Sequence, residues 1–163
     1  MVVASLVLAV GAVVACGLVA GLLLGFAVVV MPGLADLPDR DFLRAFQVVD
    51  GVIQRGSPLF GLVWAGSAVL PLAAAVMRFL ADDGPSAPLL VAAAVVVLLG
   101  VHLPTVVVNV PANNRLQGVD VAGLDEPGAA RARAAFEPRW NRWNRVRTVA
   151  ATVTVVLLAL ALV

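Results

Sequence analysis

The chain reads as an all-α protein, a four-helix transmembrane bundle with a short amphipathic helix in its first long loop. Three observations carry that reading. The 163 residues are 62% hydrophobic and only 13% charged, where a soluble domain of this size is about 45–50% apolar and ~25% charged. Mean hydropathy is +1.04. The apolar residues are also not scattered: they fall into four uncharged or nearly uncharged runs long enough to cross a ~30 Å hydrocarbon core, which takes roughly 20 residues at 1.5 Å each. The whole chain, 1–163, is expected to form a single integral membrane domain.

The four spans are expected at about residues 2–30, 58–80, 87–110 and 146–163. The first lacks a basic leader and far exceeds the ~7–15 residue core of a signal peptide. The run Val13-Val14-Ala15-Cys16-Gly17 loosely resembles a lipoprotein cleavage box, but apolar sequence continues to Val30, so a retained helix is expected. Gly17, Gly21 and Gly25 repeat a small-xxx-small spacing that lets backbones approach closely in lipid. The expected partner is a neighbouring helix, with a homo- or hetero-oligomeric partner as the other reading. The second span, Pro58 to Leu80, ends at Arg78. A tight turn at Asp82-Asp83-Gly84-Pro85 leads into the third.

Four spans place both long connections, 31–57 and 115–145, on one face of the membrane. Ten of the eleven basic residues, all arginine, lie on that face. The positive-inside rule assigns it to the cytoplasm of a multi-pass cell-membrane protein. In the first connection Phe42, Phe46, Val49 and Ile53 recur at helical spacing after Asp39 and Asp41, which predicts an amphipathic interfacial helix. Gln47, Asp50 and Gln54 share its neighbouring face, and for Asp50 and Gln54 a solvated position is expected.

The third span changes character at its end. His102, Thr105, Asn109 and Asn113 recur at i, i+3, i+7 and i+11, so one continuous helix would align them in a polar stripe. Such a stripe at membrane depth is costly unless it faces a partner or a wet cavity. Pro104 and Pro111 each remove a backbone donor and are expected to kink this end. The fourth helix is expected to begin near Pro138, a residue suited to a first helical position. On it, Trp140, Asn144, Arg147 and Thr148 share a face and Trp143 lies beside it. Arg139, Arg142 and Arg145 read as an interfacial belt.

Several chemistries are excluded. Cys16 is the only cysteine and His102 the only histidine, so an intrachain disulfide, a cysteine-based metal cage and bis-histidine haem ligation within one chain cannot form. No phosphate-cradling loop, nucleophile elbow or dinucleotide fingerprint occurs, and no nucleic-acid module. Whether a metal or cofactor is used stays open. The residues alone describe a lipid-embedded bundle whose pocket, lined by amide, Trp and Arg side chains, suits a hydrophobic aromatic or quinone-like ligand.

Three motifs in order carry a resemblance. They are Met31-Pro32-Gly33-Leu34 with Gln47 and Pro58 following, then Asn109-Val110-Pro111-Ala112-Asn113-Asn114-Arg115-Leu116, then Trp140-Asn141-Arg142-Trp143-Asn144-Arg145-Val146-Arg147-Thr148. Together they resemble the anthrone-oxygenase-like integral membrane family (DUF1772) over about residues 15 to 160. The resemblance implies a four-helix membrane protein. It also implies, as in some fungal members, oxidation of an anthrone- or quinol-like aromatic with molecular oxygen as co-substrate. Matching positions are Gln47, Asn109, Pro111, Asn113, Trp143, Asn144 and Arg147; His102 is outside the pattern. On that basis Arg147 with Asn109 or Asn144 would hold an oxyanion, and His102, or else Asp50, would take the proton. Gln47, Asn113, Trp140 and Trp143 would bind substrate. The competing class is a non-catalytic membrane component or partner subunit whose polar helix ends are structural.

Overall fold

The computed structural model describes residues 2–81 and 86–163. Its elements are helices α1 (Val2–Gly25), α2 (Met31–Ala35), α3 (Asp39–Gln54), α4 (Pro58–Leu80), α5 (Ala87–Val97), α6 (Val110–Gln117) and α7 (Glu126–Leu160). A 3₁₀ turn (Val121–Gly123) and wider π-helical turns at Phe26–Val30, Leu98–His102 and Thr105–Asn109 complete them. No strand occurs among the described residues. Four continuous helical stretches, Val3–Ala35, Pro58–Leu80, Ala87–Gln117 and Glu126–Leu160, are long and apolar enough to cross a membrane. That marks the chain as a membrane protein. The second span matches its expected limits. The tight turn expected at Asp82-Asp83-Gly84-Pro85 lies outside the described residues.

The other three helices run past their expected ends, α7 by the most. It begins at Glu126, not near Pro138, which lies inside it. The start signal is Asp125, whose side chain accepts the Gly128 N–H at 2.8 Å, followed by Pro127 in the first turn. An alanine-rich stretch then favours helix, and exposed Pro138 is absorbed on the outer face. The residues expected to be a long loop therefore extend the helix. Ala129, Phe136 and Trp140 face inward against Phe42, Leu43 and Phe46 of α3.

The three π turns share a sequence cause. Each ends two residues before a proline: Val30 before Pro32, His102 before Pro104, Asn109 before Pro111. In each case the next N–H bonds five residues back, Met31 to Phe26, Leu103 to Leu98 and Val110 to Thr105. A proline lacks the N–H an α-turn needs and crowds the carbonyl four residues earlier. Widening the preceding turn relieves that crowding and lets the helix continue past each proline.

The two ends of the bundle differ. In the lower part, α1, α4, α5 and α7 pack through small residues, among them Ala9, Ala12, Ala74, Ala93, Ala94 and Ala151. Gly100 lies so close to Ala150 that an added Cβ would stand 2.6 Å from the alanine's own. Small residues of this kind let membrane helices approach and gain dispersion contacts. The glycine stripe of α1 is not part of this packing. A Cβ at Gly17, Gly21 or Gly25 would meet nothing within 4 Å, so the expectation of a neighbouring helix is corrected: α1 packs through Ala12, Cys16, Val19 and Leu23 instead.

At the upper end, α4 and the third span separate. They remain tied at His102, hydrogen-bonded to Ser67 at 3.1 Å and packed on the Trp64 ring at 4.7 Å. Beyond it, α3 folds over the gap as a roof. Arg133 clamps this roof to α7: it donates to the Ala35 and Leu37 carbonyls and to Asp39, and bonds Glu137 at 2.7 Å. Its guanidinium lies 4.4 Å from the Phe42 ring centre.

Candidate active site

Between the roof and the packed lower bundle lies a cavity of about 170 Å³. Leu22, Leu23, Phe26, Phe46, Phe60, Trp64 and Trp140 supply apolar walls; Asp50, Thr105, Asn109, Asn113, Asn144 and Arg147 supply polar groups. Every membrane-spanning helix and the α3 roof contribute. Phe26, Thr105 and Asn109 all belong to π turns, so two of the proline-widened segments line the cavity directly.

Arg147 brings a buried charge to the cavity. It is 5% exposed and donates from Nη1 to Thr105 Oγ1 at 2.9 Å and from Nη2 to Asn144 Oδ1 at 3.0 Å. Asn144, also buried, donates in turn to the Leu23 carbonyl at 3.0 Å. Those bonds fix the guanidinium in place while leaving its Nε–H without a partner. The guanidinium carbon sits 5.8 Å from the Trp140 ring centre, within cation–π reach. Among the described residues no carboxylate bonds it, so a positive charge is held in a largely apolar site by neutral oxygens.

Asn109 is more unusual. It is 1% exposed, and among the described residues neither its Oδ1 nor its Nδ2 has a hydrogen-bond partner. Each unsatisfied buried polar group costs about 1–3 kcal/mol, and natural structures explain most such exceptions by function, water or an ion.

Asn113, one turn on, is the opposite case. It accepts the Trp140 indole N–H at 2.8 Å and donates to Asp50 Oδ1 at 2.7 Å. Asp50 also receives Gln54 and Gln117 at 2.8 Å each, both on Oδ2. The expectation of a solvated Asp50 is thus corrected: it is 5% exposed and held by three side-chain amides. Gln54 is exposed, as expected.

The expected site residues are therefore sorted by the fold. Asn109, Asn113, Trp140, Asn144 and Arg147 come together at the cavity. His102 does not line it; with the turns on either side widened, it packs against Ser67 and Trp64 in the wall behind. Gln47 donates to the Leu116 and Val119 carbonyls at 2.8 and 3.0 Å, capping the end of α6 away from the cavity. Trp143 is half-buried and is not among the lining residues; Arg139, Arg142 and Arg145 are exposed, as an interfacial belt requires. Among the described residues no group of three His, Cys, Asp or Glu is placed to hold a metal ion. Sequence reasoning missed the role of Thr105 as an arginine acceptor and the aromatic walls Phe26, Phe60 and Trp64. Phe60 and Trp64 are four apart on α4 and stack at 5.8 Å; their i, i+4 spacing was the available signal.

The family model for anthrone oxygenase matches residues 51–157. The chain belongs to the anthrone oxygenase family. No curated protein and no solved structure matches it. In this anthrone oxygenase family member, all of the cavity lining from Ile53 onward falls within the matched segment, while Leu22, Leu23, Phe26, Phe46 and Asp50 are supplied from before it.

Proposed function

We propose that the protein is a membrane-embedded oxygenase that oxidises an aromatic, anthrone- or quinol-like substrate with molecular oxygen. One observation carries the reading: the buried, wholly unpartnered side chain of Asn109 in the wall of an aromatic cavity that also holds Arg147. A substrate oxygen seated there would take a hydrogen bond from Asn109 Nδ2 and the field of the guanidinium. Both favour the oxyanion over the neutral ketone, and both are in place before the charge develops. The family to which the chain belongs supports the oxygenase class.

The chemistry needs little more than that. An anthrone loses a C–H proton to give an aromatic phenolate-type enolate, and the oxyanion site lowers the cost of this loss. Carbon then gives its electron pair to O₂, forming a C–O bond. The resulting hydroperoxide loses water to give the quinone, so one O₂ is consumed and one water released per carbonyl formed. Asp50 would receive the proton. A carboxylate offers about four acceptor sites, and three amide donors leave one on Oδ1. His102, behind Trp64, is one ring away. A cavity of ~150 Å³ accommodates benzene. The 170 Å³ here would hold one ring, with a fused system projecting between Phe60 and the exposed Val110, where α4 and the third span part.

The test is anthrone-dependent oxygen uptake by the purified protein in detergent. Arg147→Ala should lower turnover by about 10²–10³-fold, the usual cost of one oxyanion donor, with helicity retained. Undiminished turnover removes Arg147 from the site.

A further inference from the structure

A second recess lies on the outside of the bundle, between the third span and α7, with a volume of about 270 Å³. Its floor is apolar: Val107, Pro111, Ala135 and Phe136 contribute. Its rim carries Arg115 from α6 and Arg139 from α7. Among the described residues no acidic side chain lines it. Both arginines are exposed, and neither makes a hydrogen bond or ion pair among the described residues, whereas Arg133 and Arg147 are each held by several.

Depth gives the recess its direction. Val107 belongs to the apolar third span and is 55% exposed, toward lipid. Arg115 follows eight residues later on the same continuous helix, about 12 Å along its axis at 1.5 Å per residue. The groove therefore runs from the hydrocarbon region to a pair of cations at its upper edge. On α7, Arg139 precedes lipid-facing Val146 and Val149 in the same sense. Apolar floor below and unpaired positive charge above is the complement of an anionic amphiphile.

The geometry points to a binding site for an anionic phospholipid, its acyl chain along Val107, Pro111 and Ala135 and its phosphate between Arg115 and Arg139. Basic pockets between membrane helices take anionic headgroups in this way, and each arginine near the surface contributes about 1 kcal/mol, roughly fivefold. The site is separate from the cavity: Val108 lines the groove while the next residue, Asn109, lines the cavity. The inference rests on the membrane location of the helices and not on the oxygenase reading.

Native mass spectrometry of the full chain, incubated with equal dioleoylphosphatidylglycerol and dioleoylphosphatidylcholine, tests it. The wild type should retain the anionic phosphatidylglycerol preferentially, and the double variant R115Q/R139Q should lower that preference about twenty-five-fold. The double variant R142Q/R145Q removes the same charge from the next two turns of α7, outside the recess, and should leave the preference within about twofold; an equal loss there would mean diffuse attraction and overturn the site. Ala135→Trp, at an exposed position, should fill the floor and lower lipid retention. Unchanged retention would mean that no chain lies there. Soluble glycerol phosphate should fail to displace the lipid; displacement would assign the arginines to free phosphate instead.

Discussion

Asn109 and Asn113 stand one helical turn apart in the wall of the same cavity, yet they are built in opposite ways. Asn113 has both ends of its amide engaged, by Trp140 and Asp50. Asn109 is more deeply buried and engages nothing. The same contrast separates the two ends of the bundle. Below His102 the helices close through alanines and Gly100. Above it they part, and polar groups are carried to membrane depth. What differs is what each group is for. Asn113 holds α3, α6 and α7 together; Asn109 makes no bond within the fold that offsets its desolvation, which is the condition expected of a group reserved for a ligand.

Thermal unfolding in detergent can break or sharpen that comparison. Asn113→Ala should have the largest effect, about 2–4 kcal/mol, because it leaves both the Trp140 N–H and Asp50 short of a partner at roughly 1–3 kcal/mol each. A negligible loss would mean that the roof is held by its aromatic contacts alone. Gly100→Ala should follow at about 1–3 kcal/mol, since the new methyl meets Ala150 at 2.6 Å in packed backbone. Activity per folded molecule should be unaltered, because Gly100 does not line the cavity. Gly21→Ala should be smallest and of opposite sign, a gain of about 0.5–1 kcal/mol from helix propensity where the added methyl meets open space. A loss at Gly21 would show that its face is an interface after all.

Much of this was legible in the sequence, and the misses have physical causes. The four spans follow from hydropathy alone, and helical spacing puts Asn109 with Asn113 on one face of the third span and Asn144 with Arg147 on one face of the fourth helix. The helix ends beyond the membrane were not legible, because lipid no longer demands apolar residues there. Pro138 reads equally well as a first-turn residue and as an exposed interior one. Polar periodicity placed His102 on the Asn109 stripe because it assumed 3.6 residues per turn; the turns before Pro104 and Pro111 are wider, and His102 leaves the stripe. Asp50 looked solvated because its three amide donors come from Gln54, four residues on, and from Asn113 and Gln117, more than sixty residues away in sequence. A one-dimensional pattern cannot register a partner at that distance.

Asn109→Leu tests the central claim most directly, by measuring thermal stability and anthrone-dependent oxygen uptake on the same preparation. Leucine keeps the branched heavy-atom outline, has the cavity for its larger methyls and removes two unsatisfied polar atoms, so the protein should melt at the same temperature or higher while oxygen uptake is lost. A lower melting temperature would make Asn109 a structural residue, and retained uptake would place the substrate's oxygen elsewhere.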